Sequence, residues 1–294
     1  MRGTGMKAAV DIGTNSMRLL IVADDGSEAG RWVRVTGLGR GLDSSGALSE
    51  DAIARTVEAL SEFGREMADK GVAVARAVAT SASRDASNRD EFLDRAEQAL
   101  GIRPEVIPGT EEAELSYRGA TLGRSGSFVV VDIGGGSTEF VWTGDSGVEG
   151  VSVDIGSVRL TDRMLGMRPV PFEILEIASR HVAQLFEGLA VPEAAVIGVA
   201  GTWTSLAAMA ANLPEYDRNR VHGSTLARPA IDHAVGWLAA HTIEETEAIP
   251  SLDPARAPVI LGGAVVAREV MRHLGCTGVT VSEHDLLDGV VAAL

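Results

Sequence analysis

"VDIGGGSTEF", residues Val131 to Phe140, sets three glycines between an aspartate and a Ser-Thr pair, directly after a run of β-branched residues. Glycine-rich turns after strands are common, so this stretch alone decides little. The same grammar recurs near the start, in "VDIGTNSMRLL", Val10 to Leu20. Asp11, Ile12, Gly13 and Ser16 match Asp132, Ile133, Gly134 and Ser137, each at an offset of 121 residues (132 minus 11). Two matched strand–turn–strand units, one in each half, imply duplicated domains, and a repeat this long is no solenoid period. They point to a two-lobed clamp with a ligand between the lobes.

Outward from these hairpins, strand and helix signals alternate, which makes an α/β chain. Residues 49–71 read as an amphipathic helix with Ile53, Val57, Leu60, Phe63 and Met67 at helical spacing. Ser49 is its N-cap and Gly71 its stop. Val72 to Thr80 reads as a strand, and Asn88 with Glu91 as a capping box for the next helix. "PEVIPG" is a short strand and turn, and "EEAELSYRGAT" begins a helix. The flexible stretch "GRSGS", Gly123 to Ser127, is the candidate boundary, giving lobes over 1–123 and 124–294. "AAVIGVAGTWTSLAAMA" reads as strand, glycine turn and helix, and "VILGGAVVAREVMRHLG" as a long helix whose Gly-Gly admits close backbone approach. The final helix is expected to pack back on the first lobe.

Bulk composition narrows the function. With 294 residues, 45% hydrophobic, the chain has enough apolar content for two domains. The single cysteine, Cys276, excludes an intrachain disulfide framework and fits a reducing compartment. No apolar run reaches the roughly 18–20 residues of a bilayer span. "MRGTGMK" lacks the apolar region of a signal peptide, so a cytoplasmic protein is expected. Met6 is an alternative start to Met1, which would leave residues 1–5 disordered. The net charge of −15 argues against nucleic-acid binding through a basic face. An anionic substrate would need backbone donors, a few arginines or a metal ion.

The turns suit a phosphate chain. Glycines let backbone N–H groups approach phosphate oxygens, and Ser16, Ser137 and Thr138 add hydroxyls. An aspartate at the strand end would repel phosphate but can hold Mg²⁺, which bridges to it. The alternative is two unrelated tight hairpins.

In these paired Asp-Gly loops the chain resembles the actin/hexokinase/Hsp70 superfamily, with its ribonuclease H-like lobes. Within it the chain is similar to the exopolyphosphatase/guanosine pentaphosphate phosphohydrolase (Ppx/GppA) family. The matching stretches are "DIGTNSMRLL", "ATSASRDASN", "PGTEEAELSYRGA", "VVDIGGGSTEF", "VDIGSVRLTD", "GTWTSLAA" and, loosely, "ARAPVILGGAVVAREVM", in the family's order. The resemblance implies a two-lobed actin-like α/β fold. It also implies an exopolyphosphatase that releases terminal orthophosphate from polyphosphate by metal-assisted attack of water.

The resemblance assigns residues by position. Glu112 matches the catalytic carboxylate that orients or deprotonates the water, with Glu111 as fallback. Asp132 and Glu139 match site acids and are metal candidates for Mg²⁺ or Mn²⁺, with Asp11 as the opposite-lobe partner. Two-residue alternation puts Glu139 on the same face as Ser137. Arg84 and Arg256 match substrate-binding arginines. Phosphate contacts are expected from Gly13, Thr14, Asn15 and Ser16, from Gly134, Gly135, Gly136, Ser137 and Thr138, and from Gly201 and Thr202 at a helix N-terminus. "DIGS", Asp154 to Ser157, is either a third loop or a strand end whose Ser157 caps the next helix.

Departures matter too. Ala255-Arg256-Ala257-Pro258 lacks the acid of the family's Gly-Arg-x-Asp, and Pro258 is expected in a helix first turn. "SEHDLLDG" lacks the basic residue often found before the final glycine. Long members carry extra C-terminal helical domains that this sequence lacks. That absence, with the acidic charge, favours short polyphosphate chains. The alternatives are a guanosine pentaphosphate phosphohydrolase and a non-catalytic polyphosphate or alarmone sensor. A same-superfamily kinase lacks a sugar or acetate pocket signature, and a Ser/His/Asp hydrolase lacks a G-x-S-x-G context. The partners expected are the polyphosphorylated substrate and a second copy in a homodimer, with no nucleic acid and no membrane.

Overall fold

The computed structural model describes residues 5–145 and 147–294. Residues 1–4, Met1 among them, lie outside the described residues, while Met6 begins the first strand. The chain divides into two compact units, Met1–Gly119 with Leu286–Leu294, and Ala120–Asp285. The division falls at Gly119/Ala120, four residues before the glycine-rich stretch at Gly123. Among the described residues no helix is long and apolar enough to cross a membrane.

In the first unit, strands β1 (Met6–Ile12), β2 (Ser16–Ala23), β3 (Glu28–Val35), β4 (Val72–Ala79) and β5 (Glu105–Val106) form a sheet of order β3-β2-β1-β4-β5. β1 pairs antiparallel with β2 and parallel with β4. Alternation along β1 divides its side chains between two apolar layers. Ala8, Val10 and Ile12 face one core with Phe63 and Phe92. Ala9 faces another with Leu115, Leu286, Leu287 and Val290. The last helix, Leu286–Ala292, therefore closes the first sheet. Gly289 makes this possible, because a Cβ there would lie 2.0 Å from the Leu115 carbonyl oxygen.

The second unit repeats the plan. β6 (Phe128–Ile133), β7 (Thr138–Gly144), β8 (Gly147–Val153), β9 (Ala195–Val199), β10 (Thr225–Ala227) and β11 (Gly278–Val281) form a sheet of order β10-β11-β9-β6-β7-β8. With the edge strand β10 set aside, both sheets follow one order, third-second-first-fourth-fifth, with the second strand antiparallel to the first. This is the ribonuclease H-like topology that the resemblance implies. Val129, Val131 and Ile133 face one core with Phe140, Phe186 and Trp203. The Ile260–His273 helix is buried over most of its length. Its Gly262 lies against the Ser157 carbonyl, where a Cβ would come within 2.4 Å.

Local expectations fared unevenly. Ser49 caps the Glu50–Asp69 helix by accepting from the Ala52 N–H, and Gly71 takes φ 65° at its end. Asn88 does not form the capping box. Its amide accepts from the Leu48 N–H at 2.9 Å and donates to the Leu48 carbonyl at 3.0 Å, tying two loops together. The glycine turn expected after β9 is absent: the helix Ala200–Ala210 starts at once, with Ala200 at φ 69° and Gly201 in its first turn. Pro258 precedes the Ile260–His273 helix instead of starting it, and Arg256 ends a 3₁₀ turn, Pro254–Arg256.

Candidate functional site

The two hairpin turns have the same hydrogen bonding, each described within its own unit. In the first, the Gly13 N–H donates to the Ser16 carbonyl at 3.1 Å; in the second, the Gly134 N–H donates to the Ser137 carbonyl at 3.0 Å. Carbonyls of both turns are tied back by a following segment. Thr14 O accepts from Gly39, and Asn15 O from Thr36 and Gly37. Gly134 O accepts from Ser157, and Gly135 O from Val158 and Arg159. With the carbonyls turned that way, the N–H groups of Thr14, Asn15, Gly135 and Gly136 donate to nothing among the described residues. Adjacent N–H groups of this kind form a nest for an anion.

"DIGS" does not cap the next helix through Ser157. The Ser157 hydroxyl makes no capping bond; with its own N–H it holds the Gly134 carbonyl, so the segment braces the second turn. Thr138 and Thr202 also change role. The Thr138 hydroxyl donates to Ile155 O at 2.6 Å and the Thr202 hydroxyl to Ile133 O at 3.1 Å, both buried. Asn15 is buried, and its Oδ1 accepts no hydrogen bond among the described residues.

The strand-end acids differ between the units. Asp11 stands opposite Arg18 in the β1–β2 register, and Asp132 stands opposite Glu139 in β6–β7. These are the same positions, seven residues apart in both hairpins. Asp11 Oδ2 accepts from Arg18 Nε at 3.0 Å and Nη2 at 2.6 Å, an ion pair almost wholly buried. Asp132 and Glu139 are instead two opposed carboxylates, 8% and 2% exposed. Ser152 donates to Glu139 Oε1 at 2.7 Å. Like charges at directly opposed positions repel. Arg18 was missed in the sequence, although extending the 121-residue offset to Glu139 points straight to it.

Glu111 and Glu112 separate clearly. Both lie in the first turn of the Gly109–Ala120 helix. Arg76 binds Glu111 at 2.7 Å and Glu105 at 2.8 Å at a half-exposed edge; Glu105 first, then Glu111, holds its guanidinium above the usual arginine range. Glu112 turns inward, with 13% of its side chain exposed, and accepts from Arg84 Nη1 at 2.6 Å. Arg84 also donates to Ile107 O at 3.0 Å. The structure therefore brings Arg84 and Glu112 together and sets Glu111 aside in a surface ion pair.

In the second unit the Arg256 guanidinium lies over Gly201, in the first turn of the Ala200–Ala210 helix. Among the described residues no group of three or more His, Cys, Asp or Glu is arranged to hold a metal ion.

Duplicated ribonuclease H-like sheets with anion nests on their first hairpins define a phosphate-handling protein of the actin-like class. The chain belongs to the Ppx/GppA phosphatase family, whose model matches residues 27–294. It is 40% identical to exopolyphosphatase 2 of Mycobacterium tuberculosis, over 98% of each chain. A solved exopolyphosphatase-like protein is 37% identical over 98% of each chain, with a TM-score of 0.92. The solved PPX-GPPA enzyme of Aquifex aeolicus is 32% identical over 99% of each chain, with a TM-score of 0.81.

Proposed function

We propose that the chain is an exopolyphosphatase that hydrolyses the terminal phosphoanhydride bond of short inorganic polyphosphate. The observation that carries this reading is the nest on the first hairpin of each unit, whose N–H groups, donating to nothing among the described residues, suit phosphate oxygens. The family membership and the named exopolyphosphatase relative support it.

Each residue then has a task. Gly135 and Gly136 hold phosphate oxygens through their N–H groups, as do Thr14 and Asn15. Arg84 and Arg256 neutralise charge on the chain. Glu112 takes a proton from the attacking water as the P–O–P bond breaks and the shortened chain departs. Arg84 donates to Glu112 at 2.6 Å, so a phosphate that draws Arg84 to itself also releases the base.

The donor set fits a hard divalent cation at Asp132 and Glu139, two carboxylates at opposed positions of the hairpin. Mg²⁺ binds through one or two carboxylates with phosphates completing its shell. When bound, such an ion would neutralise charge on the phosphoryl oxygens. Asp11, committed to Arg18, fits this role poorly.

The test is orthophosphate release with Mg²⁺ from short polyphosphate, long polyphosphate, guanosine pentaphosphate and ATP, with Glu112→Ala run in parallel. Release from short chains, abolished in the variant while binding persists, is expected. Cleavage of guanosine pentaphosphate alone would move the substrate to the alarmone. Tight binding without release would make the chain a sensor.

A further inference from the structure

Single apolar side chains on a surface are ordinary, but a concentration of them marks a place of contact. Among the described residues, five of the nine large apolar side chains left exposed fall within residues 167–185 of the second unit: Met167, Phe172, Ile174, Ile177 and Leu185. Met167 is 89% exposed and Phe172 70%. Met167 does not hang on a loose loop. Next to it, Arg168 donates from Nη1 to Leu238 O at 3.3 Å and from Nη2 to Ala257 O at 2.6 Å. The Val170 N–H donates to Ala239 O at 2.8 Å, and the Phe172–Phe186 helix follows.

This helix is apolar on two sides. Leu175, Ala178, Val182 and Phe186 face the core of the second unit, and Arg268 of the Ile260–His273 helix donates to the Ser179 hydroxyl beside them. On another side Ile174, Ile177 and Leu185 form a stripe at helical spacing, with His181 in its gap. A surface helix needs one apolar face to dock on its own domain. The second face is left for a partner.

The charges beside the stripe say which partner. Glu173 lies four residues before Ile177, and Arg180 and His181 lie three and four residues after it. Among the described residues none of these three side chains makes an ion pair or a hydrogen bond. A second copy laid antiparallel, with a twofold axis at Ile177, sets each Glu173 against Arg180 and His181 of the other copy. The same operation sets Ile177 against itself. It also brings Leu185 to the segment between Met167 and Phe172. This is the self-complementary pattern that a twofold contact requires. A lipid surface fits less well. The helix starts with Glu173 and Glu176, and the chain carries a net charge of −15, which anionic headgroups repel.

We propose that the exposed side of the Phe172–Phe186 helix, together with Met167, docks a second copy of this chain as an antiparallel helix pair centred on Ile177. The helix has 15 residues and is about 22 Å long, so the contact is at the small end of specific interfaces. Association in the micromolar range is expected.

The experiment is sedimentation equilibrium of the full chain from about 1 to 200 μM at about 0.15 M salt. Wild type should pass from monomer to dimer over this range. Ile177→Glu brings two carboxylates together on the axis and should weaken association by about 10-fold or more. Glu173→Arg and Arg180→Glu should each weaken it on the same scale. The double variant Glu173→Arg/Arg180→Glu restores the pairing with its signs exchanged and should recover wild-type association. Leu122→Glu, at an exposed apolar residue outside this segment, should associate as wild type does. Thermal midpoints should be unchanged in all of them, because the substituted side chains are exposed. A chain that stays monomeric throughout the range overturns the proposal. So does a dimer that Ile177→Glu leaves intact, or a double variant as weak as the single ones. Monomeric wild type that binds phosphatidylcholine/phosphatidylglycerol vesicles, with binding lost in Ile177→Glu, would also overturn it and give the face to lipid.

Discussion

Glu111 and Glu112 show what a single residue's surroundings add to its identity. In sequence they are two adjacent acids at a helix start, equally suited to complement its N-terminus. The helix phase decides between them: one position turns to Arg76 and stays the more exposed, while the other turns inward to Arg84. That phase depends on how the helix docks on its sheet, which no local pattern encodes. Glu112→Gln should lower kcat by about 10²- to 10⁴-fold, the range of general-base catalysis, with KM little changed. Glu111→Gln should keep wild-type turnover, since it loses only a surface ion pair worth about 0–1 kcal/mol. Steady-state phosphate release from both variants checks the assignment. Thr138 and Thr202 teach the converse. Their types suited phosphate, but buried carbonyls at Ile155 and Ile133 needed donors, and those nearer partners took the hydroxyls.

At the scale of elements, the two hairpins were legible because their chemistry is local: β-branched strands, an aspartate, then glycines where backbone must turn tightly. The bracing segment was only half legible. "DIGS" was visible as a motif, but its partner, the Gly134–Gly135 backbone, lies more than 20 residues earlier in the chain. Asn88 failed for the same reason: its local pattern matched a capping box, while its actual partner, Leu48, is 40 residues away. The brace makes a sharp prediction. A Cβ at Gly156 would come within 2.6 Å of the Gly135 carbonyl group, which is backbone and cannot rotate away. Gly156→Ala should destabilise the protein by about 1–3 kcal/mol, as overpacking does, and cut phosphate release by displacing the nest. Gly236, in the Arg228–Ala240 helix, has nothing within 4 Å of its Cβ position. Gly236→Ala should stabilise by roughly 0.5–1 kcal/mol with activity unchanged. Urea unfolding beside a phosphate assay separates the two.

For the whole molecule, duplication and charge were both readable from the sequence. A net charge of −15 surrounds sites built for a polyanion. Local N–H groups and arginines attract the substrate at short range, while the global field repels it at long range. Raising ionic strength from about 0.01 M to 0.1 M shortens the screening length from about 30 Å to about 10 Å. That removes the long-range term before the short-range one. The kcat/KM for short polyphosphate should therefore rise over this interval at fixed free Mg²⁺, where a basic phosphate binder's would fall. A stopped-flow phosphate assay across a salt series reads the slope.

The tied carbonyls of the two turns have one more consequence. A glycine-rich loop ordinarily wanders among many conformations, and a ligand that fixes it must overcome that lost freedom. Here neighbouring segments have already removed the freedom by holding Thr14, Asn15, Gly134 and Gly135 through their oxygens. The loops are stiff before any phosphate arrives. Binding then sacrifices little backbone entropy, and what glycine contributes is space for a bare amide, with its flexibility held in check.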